Sequence, residues 1–117
     1  MDTKETFNIG YDLAVDDSAI LANEAFRGVN RRPDVPGFAE TMLEYFDACQ
    51  AQAKALLSVM AEDLGLPADY FVSLFSKPMS AIRLPHYPPA SGAASEIGAG
   101  AHSDYGAIPS AALVNSR

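Results

Sequence analysis

An α+β chain is predicted: one long amphipathic helix, a short helix and the first strands of a sheet. Three observations predict it. Apolar residues recur every three or four positions from Phe38 to Leu64, the period of a helix with one buried stripe. Further on, Ser80, Ile82, Leu84 and His86 occupy alternate positions, the period of a strand face. Gly65 and Pro67 lie between the two patterns and form a helix stop signal.

Residues 1–33 show little periodicity. Asn8, Gly10, Asp12, Asp16, Asp17 and Ser18 are loop formers, with room for a short strand around Phe7-Ile9 and a helical turn in 18–27. Gly28 to Pro33 breaks the chain. Asp34 is a suitable N-cap for the long helix, and Pro36 suits a first turn. The stripe then runs through Phe38, Met42, Tyr45, Phe46, Cys49, Ala53, Leu56, Leu57, Met60 and Leu64. Such a helix, about 29 residues, would be roughly 43 Å long. That is long for so small a domain, as if made to lie against something larger. Residues 69–75 are expected as a short second helix burying Phe71, Leu74 and Phe75. Residues 79–87 are expected as a strand, at an edge or with a bulge, because Pro85 cannot donate to a ladder. Residues 88–100, rich in Pro, Ala, Gly and Ser, should be a mobile loop, and a second strand is expected from Ala101. The chain thus divides into an irregular segment (1–33), the two helices (34–78) and a strand-bearing segment (79–117).

With 117 residues the chain suffices for one small domain. Its 49% hydrophobic content is that of a globular protein. The net charge is −7, from 15 acidic and 8 basic residues. Only Arg31 and Arg32 adjoin, which is no phosphate-tracking stripe, so nucleic acid and anionic membranes are disfavoured as partners. Cys49 is the only cysteine, which rules out an internal disulfide and fits a reducing, cytoplasmic setting. The first five residues carry no apolar run, and no stretch approaches the roughly 20 apolar residues of a membrane span.

The residues that carry chemistry are His102-Ser103-Asp104. On a strand, positions i and i+2 share a face, so an imidazole and a carboxylate would converge. These are two of the three ligands of a 2-His-1-carboxylate triad, which holds iron(II) with positions open for substrate and oxygen. By itself the triplet is a short motif and is more often a solvated pair.

Its surroundings add to it. Ile97-Gly98-Ala99-Gly100-Ala101-His102-Ser103-Asp104-Tyr105-Gly106 resembles the metal-motif segment of the isopenicillin N synthase-like oxygenases. Arg83-Leu84-Pro85-His86-Tyr87-Pro88-Pro89 resembles the strand and turn before that motif. Leu64-Gly65-Leu66 with Tyr70-Phe71 resembles the end of the family's long helix. Asp2 to Glu5 with Phe7 and Gly10, then Gly28-Val29-Asn30 and Pro33, resemble its linker. The likeness runs in order over residues 2–108. It implies a double-stranded β-helix (jelly-roll) core, of which residues 79–117 would be a part. It further implies iron(II), 2-oxoglutarate as co-substrate, oxygen, and hydroxylation, desaturation or cyclisation of a small organic substrate. By position His102 and Asp104 would be metal ligands. Tyr87 would contact the 2-oxoglutarate carboxylate, although Pro85 stands where the family commonly has a polar residue such as asparagine.

The family's third ligand is a histidine several dozen residues beyond the H-x-D, followed by an R-x-S pair that grips 2-oxoglutarate. This chain ends at Arg117, its other histidine is the upstream His86, and residues 107–114, with Pro109, depart from the family's apolar strand. An internal fragment, inactive by itself, is therefore expected. The competing reading is a non-catalytic remnant or an interaction module acting through the long helix. A cupin-like binder would need more than two histidines. Cys49 is expected as a buried small hydrophobe, His86 as a strand residue near the pocket mouth, and Arg31-Arg32 as a solvated turn. Arg83 is expected either to face the pocket or to pair with a carboxylate. Exposed strand edges and helix stripe should favour oligomerisation.

Overall fold

The element order is β1 (Glu5–Gly10), α1 (Ser18–Leu21), α2 (Phe38–Asp63), a 3-10 turn (Val72–Phe75) and β2 (Ala81–His86), in a computed structural model that describes residues 4–89, 92, 99–104, 106 and 108–112. The chain divides into two compact units, one of Thr6–Pro85 and one of Met1–Glu5 with His86–Arg117.

α1 starts where a cap is available. The Asp17 carboxylate accepts from the Ala19 N–H at 2.9 Å, satisfying one of the unpaired donors of a helix start. α2 begins later than the Asp34 cap predicts. Its N-cap is Gly37, at φ 75°, with no side-chain cap bond. Pro36 explains the delay, because it disfavours helical backbone at the preceding Val35. Residues 33–38 form tight turns instead, with Val35 N–H bonded to the Pro33 carbonyl and Phe38 N–H to that of Val35. The helix then runs 26 residues, about 39 Å.

Its end matches the predicted stop. Gly65 adopts φ 71°. The Leu66 N–H reaches the Ala61 carbonyl and the Gly65 N–H that of Glu62, both at 2.9 Å. These paired bonds are a Schellman motif, which needs a left-handed residue at Gly65.

The apolar stripe of α2 is only partly covered. Phe46, Leu57 and Ala61, on one flank, are buried and pack with Ile9, Leu13 and Ala19 as the core. Tyr11 meets Phe46 edge-on at 6.3 Å, and Phe7 meets Phe38 at 5.8 Å. Met42, Cys49 and Ala53, in mid-stripe, are half-buried, so Cys49 is less enclosed than expected. On the other flank Tyr45, Leu56, Val59 and Met60 are exposed, Val59 by 63%.

The second helix shrinks to one 3-10 turn, packed on α2. Four residues of tight turn cannot cover three large side chains. Phe71 and Phe75 are half-buried, whereas Leu74 is 72% exposed, a correction to the sequence reading. β2 pairs with β1 in a two-stranded sheet. Asn8 meets Arg83 and Glu5 meets His86, so partner numbers fall as those of β1 rise and the strands are antiparallel. Pro85 is tolerated because, among the described residues, β2 has a neighbour on one side only. The strand expected from Ala101 does not form among the described residues: Ala101 bends and residues 102–104 join no ladder. Most of the loop expected over 88–100, Tyr105, Ala107 and residues 113–117 lie outside the described residues. Among the described residues no helix is long and apolar enough to cross a membrane.

Candidate metal centre

His102 and Asp104 come together without the strand that was to align them. The imidazole Nδ1 lies 2.8 Å from the Gly100 carbonyl oxygen, and Nε2 lies 3.3 Å from Asp104 Oδ1. A carbonyl can only accept, so the Nδ1 contact requires the ring proton on Nδ1. In a neutral ring Nε2 then carries a lone pair. It faces a carboxylate oxygen, which offers lone pairs as well. A cation between the two would turn the contact into an attraction. Both side chains are mostly exposed, at 65% and 59%.

The other candidates lie at the end of β2 and just after it. His86 closes β2 and turns its Nδ1 to Glu5 Oε2 at 3.6 Å. Tyr87 follows it, 47% exposed. Among the described residues no three His, Cys, Asp or Glu side chains form a group able to hold a metal. The Arg83 Nε–H donates to the Asn8 side-chain carbonyl at 3.3 Å.

Sequence reasoning missed the polar side chains that join distant segments. Arg27 donates to the Pro78 carbonyl at 3.1 Å and to the Lys77 carbonyl at 2.7 Å. Lys77 reaches Asp17 at 3.5 Å. Arg32, expected in a solvated turn, pairs with Asp12 at 2.7 Å, and Asn30 bonds both Asp12 and the backbone of Gly10. No local pattern signals these partners, because they are 18 to 60 residues apart in the chain.

No protein-family model matches the chain. Individual proteins do. A probable iron/ascorbate oxidoreductase of Dictyostelium discoideum is 30% identical, over 92% of this chain and 36% of its own length. A 2-oxoglutarate-Fe(II) type oxidoreductase of Aspergillus fumigatus is 32% identical, over 92% and 34%. A 2-oxoglutarate-dependent dioxygenase of Aspergillus rugulosus is 39% identical, over 74% and 24%. The chain spans about a quarter to a third of the length of these curated relatives. Along most of its own length it is similar to oxidoreductases named for iron, 2-oxoglutarate or both.

Proposed function

We propose that this chain is the part of a non-haem iron(II), 2-oxoglutarate-dependent oxygenase, of the isopenicillin N synthase-like kind, that supplies two of its three protein metal ligands. The observation that carries the reading is the approach of His102 Nε2 to Asp104 Oδ1 at 3.3 Å, in a chain similar to iron and 2-oxoglutarate oxidoreductases. Two donors each about 2.0–2.2 Å from one divalent ion, at right angles to each other, lie about 3 Å apart. The donor set, neutral nitrogen and carboxylate oxygen without thiolate, suits iron(II).

In this reading the Gly100 carbonyl holds the proton on Nδ1 and keeps Nε2 free to ligate, the usual task of a group behind a metal-bound histidine. Asp104 supplies the negative charge. The Tyr87 hydroxyl would donate to a carboxylate of 2-oxoglutarate. Bound iron would supply the oxygen chemistry that couples loss of carbon dioxide from 2-oxoglutarate to oxidation of a small organic substrate. In the whole protein, jelly-roll strands would carry a second histidine and an R-x-S grip on the co-substrate.

A second reading has its own support. The exposed flank of α2 suits a chain that acts by docking, without turnover. Anaerobic iron(II) titration of the chain and of His102→Ala and Asp104→Ala separates the two. The oxygenase reading expects weak binding that both substitutions abolish. Binding indifferent to both substitutions would remove it.

A further inference from the structure

The ten residues between Gly28 and Gly37 are joined to the rest of the chain in an unusual way. Of these, all but Asn30 are exposed. Among the described residues, no backbone hydrogen bond ties residues 28–34 to another element; at the far end the Val35 and Gly37 carbonyls accept from the Phe38 and Thr41 N–H groups of α2. What holds residues 28–34 is side chains. Asn30 Oδ1 accepts from the Gly10 N–H at 2.8 Å, and Asn30 Nδ2 donates to the Gly10 carbonyl at 3.0 Å. One amide side chain thus satisfies both backbone groups of Gly10, as a neighbouring strand would. Asn30 Nδ2 also donates to Asp12 Oδ1 at 3.0 Å, and Arg32 binds Asp12 Oδ2 at 2.7 Å.

Beside this contact is a shallow, open recess of about 10 Å³, lined by Ile9, Phe38, Met42 and Leu43 together with Asn30 and Arg32. Glycines bound the segment: Gly37 holds φ 75°, and a Cβ on Gly28 would meet nothing within 4 Å. The first turn of α2, next to Gly37, has no side-chain cap to anchor it.

We propose that residues 28–37 are a strap, that the Asn30 side chain is the clasp that closes it on β1, and that opening it uncovers an apolar groove lined by Ile9, Phe38, Met42 and Leu43. A segment held by a few side-chain bonds, with little burial, opens locally at far lower cost than the fold as a whole. Arg32 and Asp12 guide the strap to its seat. Asn30 locks it, because it alone binds both the backbone of β1 and Asp12. The inference is independent of any metal at His102 and Asp104.

Limited trypsin digestion of the full chain tests it. Cleavage of the Arg31–Arg32 bond reports the strap, and cleavage after Lys54, within α2, reports general unfolding. The quantity read is the ratio of the two rates. In Asn30→Ala the ratio should rise about tenfold, equivalent to ~1.4 kcal/mol. Asn30→Asp should raise it as well, since a carboxylate cannot donate to Gly10 and repels Asp12. A ratio within twofold of the unsubstituted chain in both variants overturns the proposal, whether neither bond becomes more labile or both do so together.

Discussion

His102 Nε2 stands 3.3 Å from Asp104 Oδ1 while the other nitrogen of the ring lies 2.8 Å from the Gly100 carbonyl. Among the described residues no third His, Cys, Asp or Glu joins this pair in a group able to hold a metal. Iron(II) is low in the affinity order of divalent metals and depends on a well-built site. The 117-residue chain should therefore give no 2-oxoglutarate-dependent succinate release above a free-iron background. Robust turnover would show that a third donor is supplied, with His86 or a second copy the first places to test.

The uncovered flank of α2 should govern association. Leu56, Val59 and Met60 are each about half exposed or more, and contiguous exposed apolar surface favours self-association. The chain should run as oligomers or aggregates by light scattering. Replacing Leu56 and Val59 together by Glu and Lys should increase the monomer fraction at little cost to helicity. A monodisperse monomer before substitution would contradict this.

The strap should loosen in acid. The Asn30 hydrogen bond, with help from Arg32, holds the Asp12 carboxyl below its ordinary value. A carboxylate with a depressed folded pKa adds stability above its unfolded pKa and loses it as pH falls through the folded one. Arg31 and Arg32 are the charged groups near Asp12 at this site, and neither changes charge in this range. Cleavage at Arg31, assayed with an acid-active protease or by hydrogen exchange, should stay flat from neutral pH to about pH 5 and rise below about pH 4. Asp12→Asn should remove that rise.

Arg27 should not be replaceable by lysine. Its planar fork donates to two successive carbonyls, those of Lys77 and Pro78, and a single ammonium cannot match that geometry. Arg27→Lys should cost about 1–2 kcal/mol in denaturant unfolding, close to the cost of Arg27→Ala. Full rescue by lysine would mean that charge alone matters there.

Gly65→Ala should destabilise the chain by about 1 kcal/mol, because an L-residue at φ 71° is strained. The loss should appear as fraying of the last turn of α2 in hydrogen exchange, with the centre of the helix protected.

The extent of α2, its Schellman end and the position of β2 were legible in the sequence because each rests on neighbours within about four residues. Periodicity, a glycine free to turn left-handed and alternation are all local signals. The Asp34 cap failed on an equally local ground, since Pro36 forbids the helix to start so early. The H-x-D pair was legible as residue types at a spacing. Its convergence does not rest on the expected strand: a bond to the Gly100 carbonyl orients the ring instead.

The sequence by itself determined which residues are apolar, where the helix must end, and that one imidazole and one carboxylate lie two positions apart. Only the tertiary structure decided which flank of the stripe is buried. It also decided that Asn30 pairs with Gly10, that Arg27 fastens residues 77 and 78, and that His86 turns to Glu5. The physical reason is distance along the chain. A hydrogen bond between residues 20 or 51 positions apart forms only after the intervening chain has folded back, so no local pattern announces it. Half of an apolar stripe, likewise, looks like the other half until something packs against one of them.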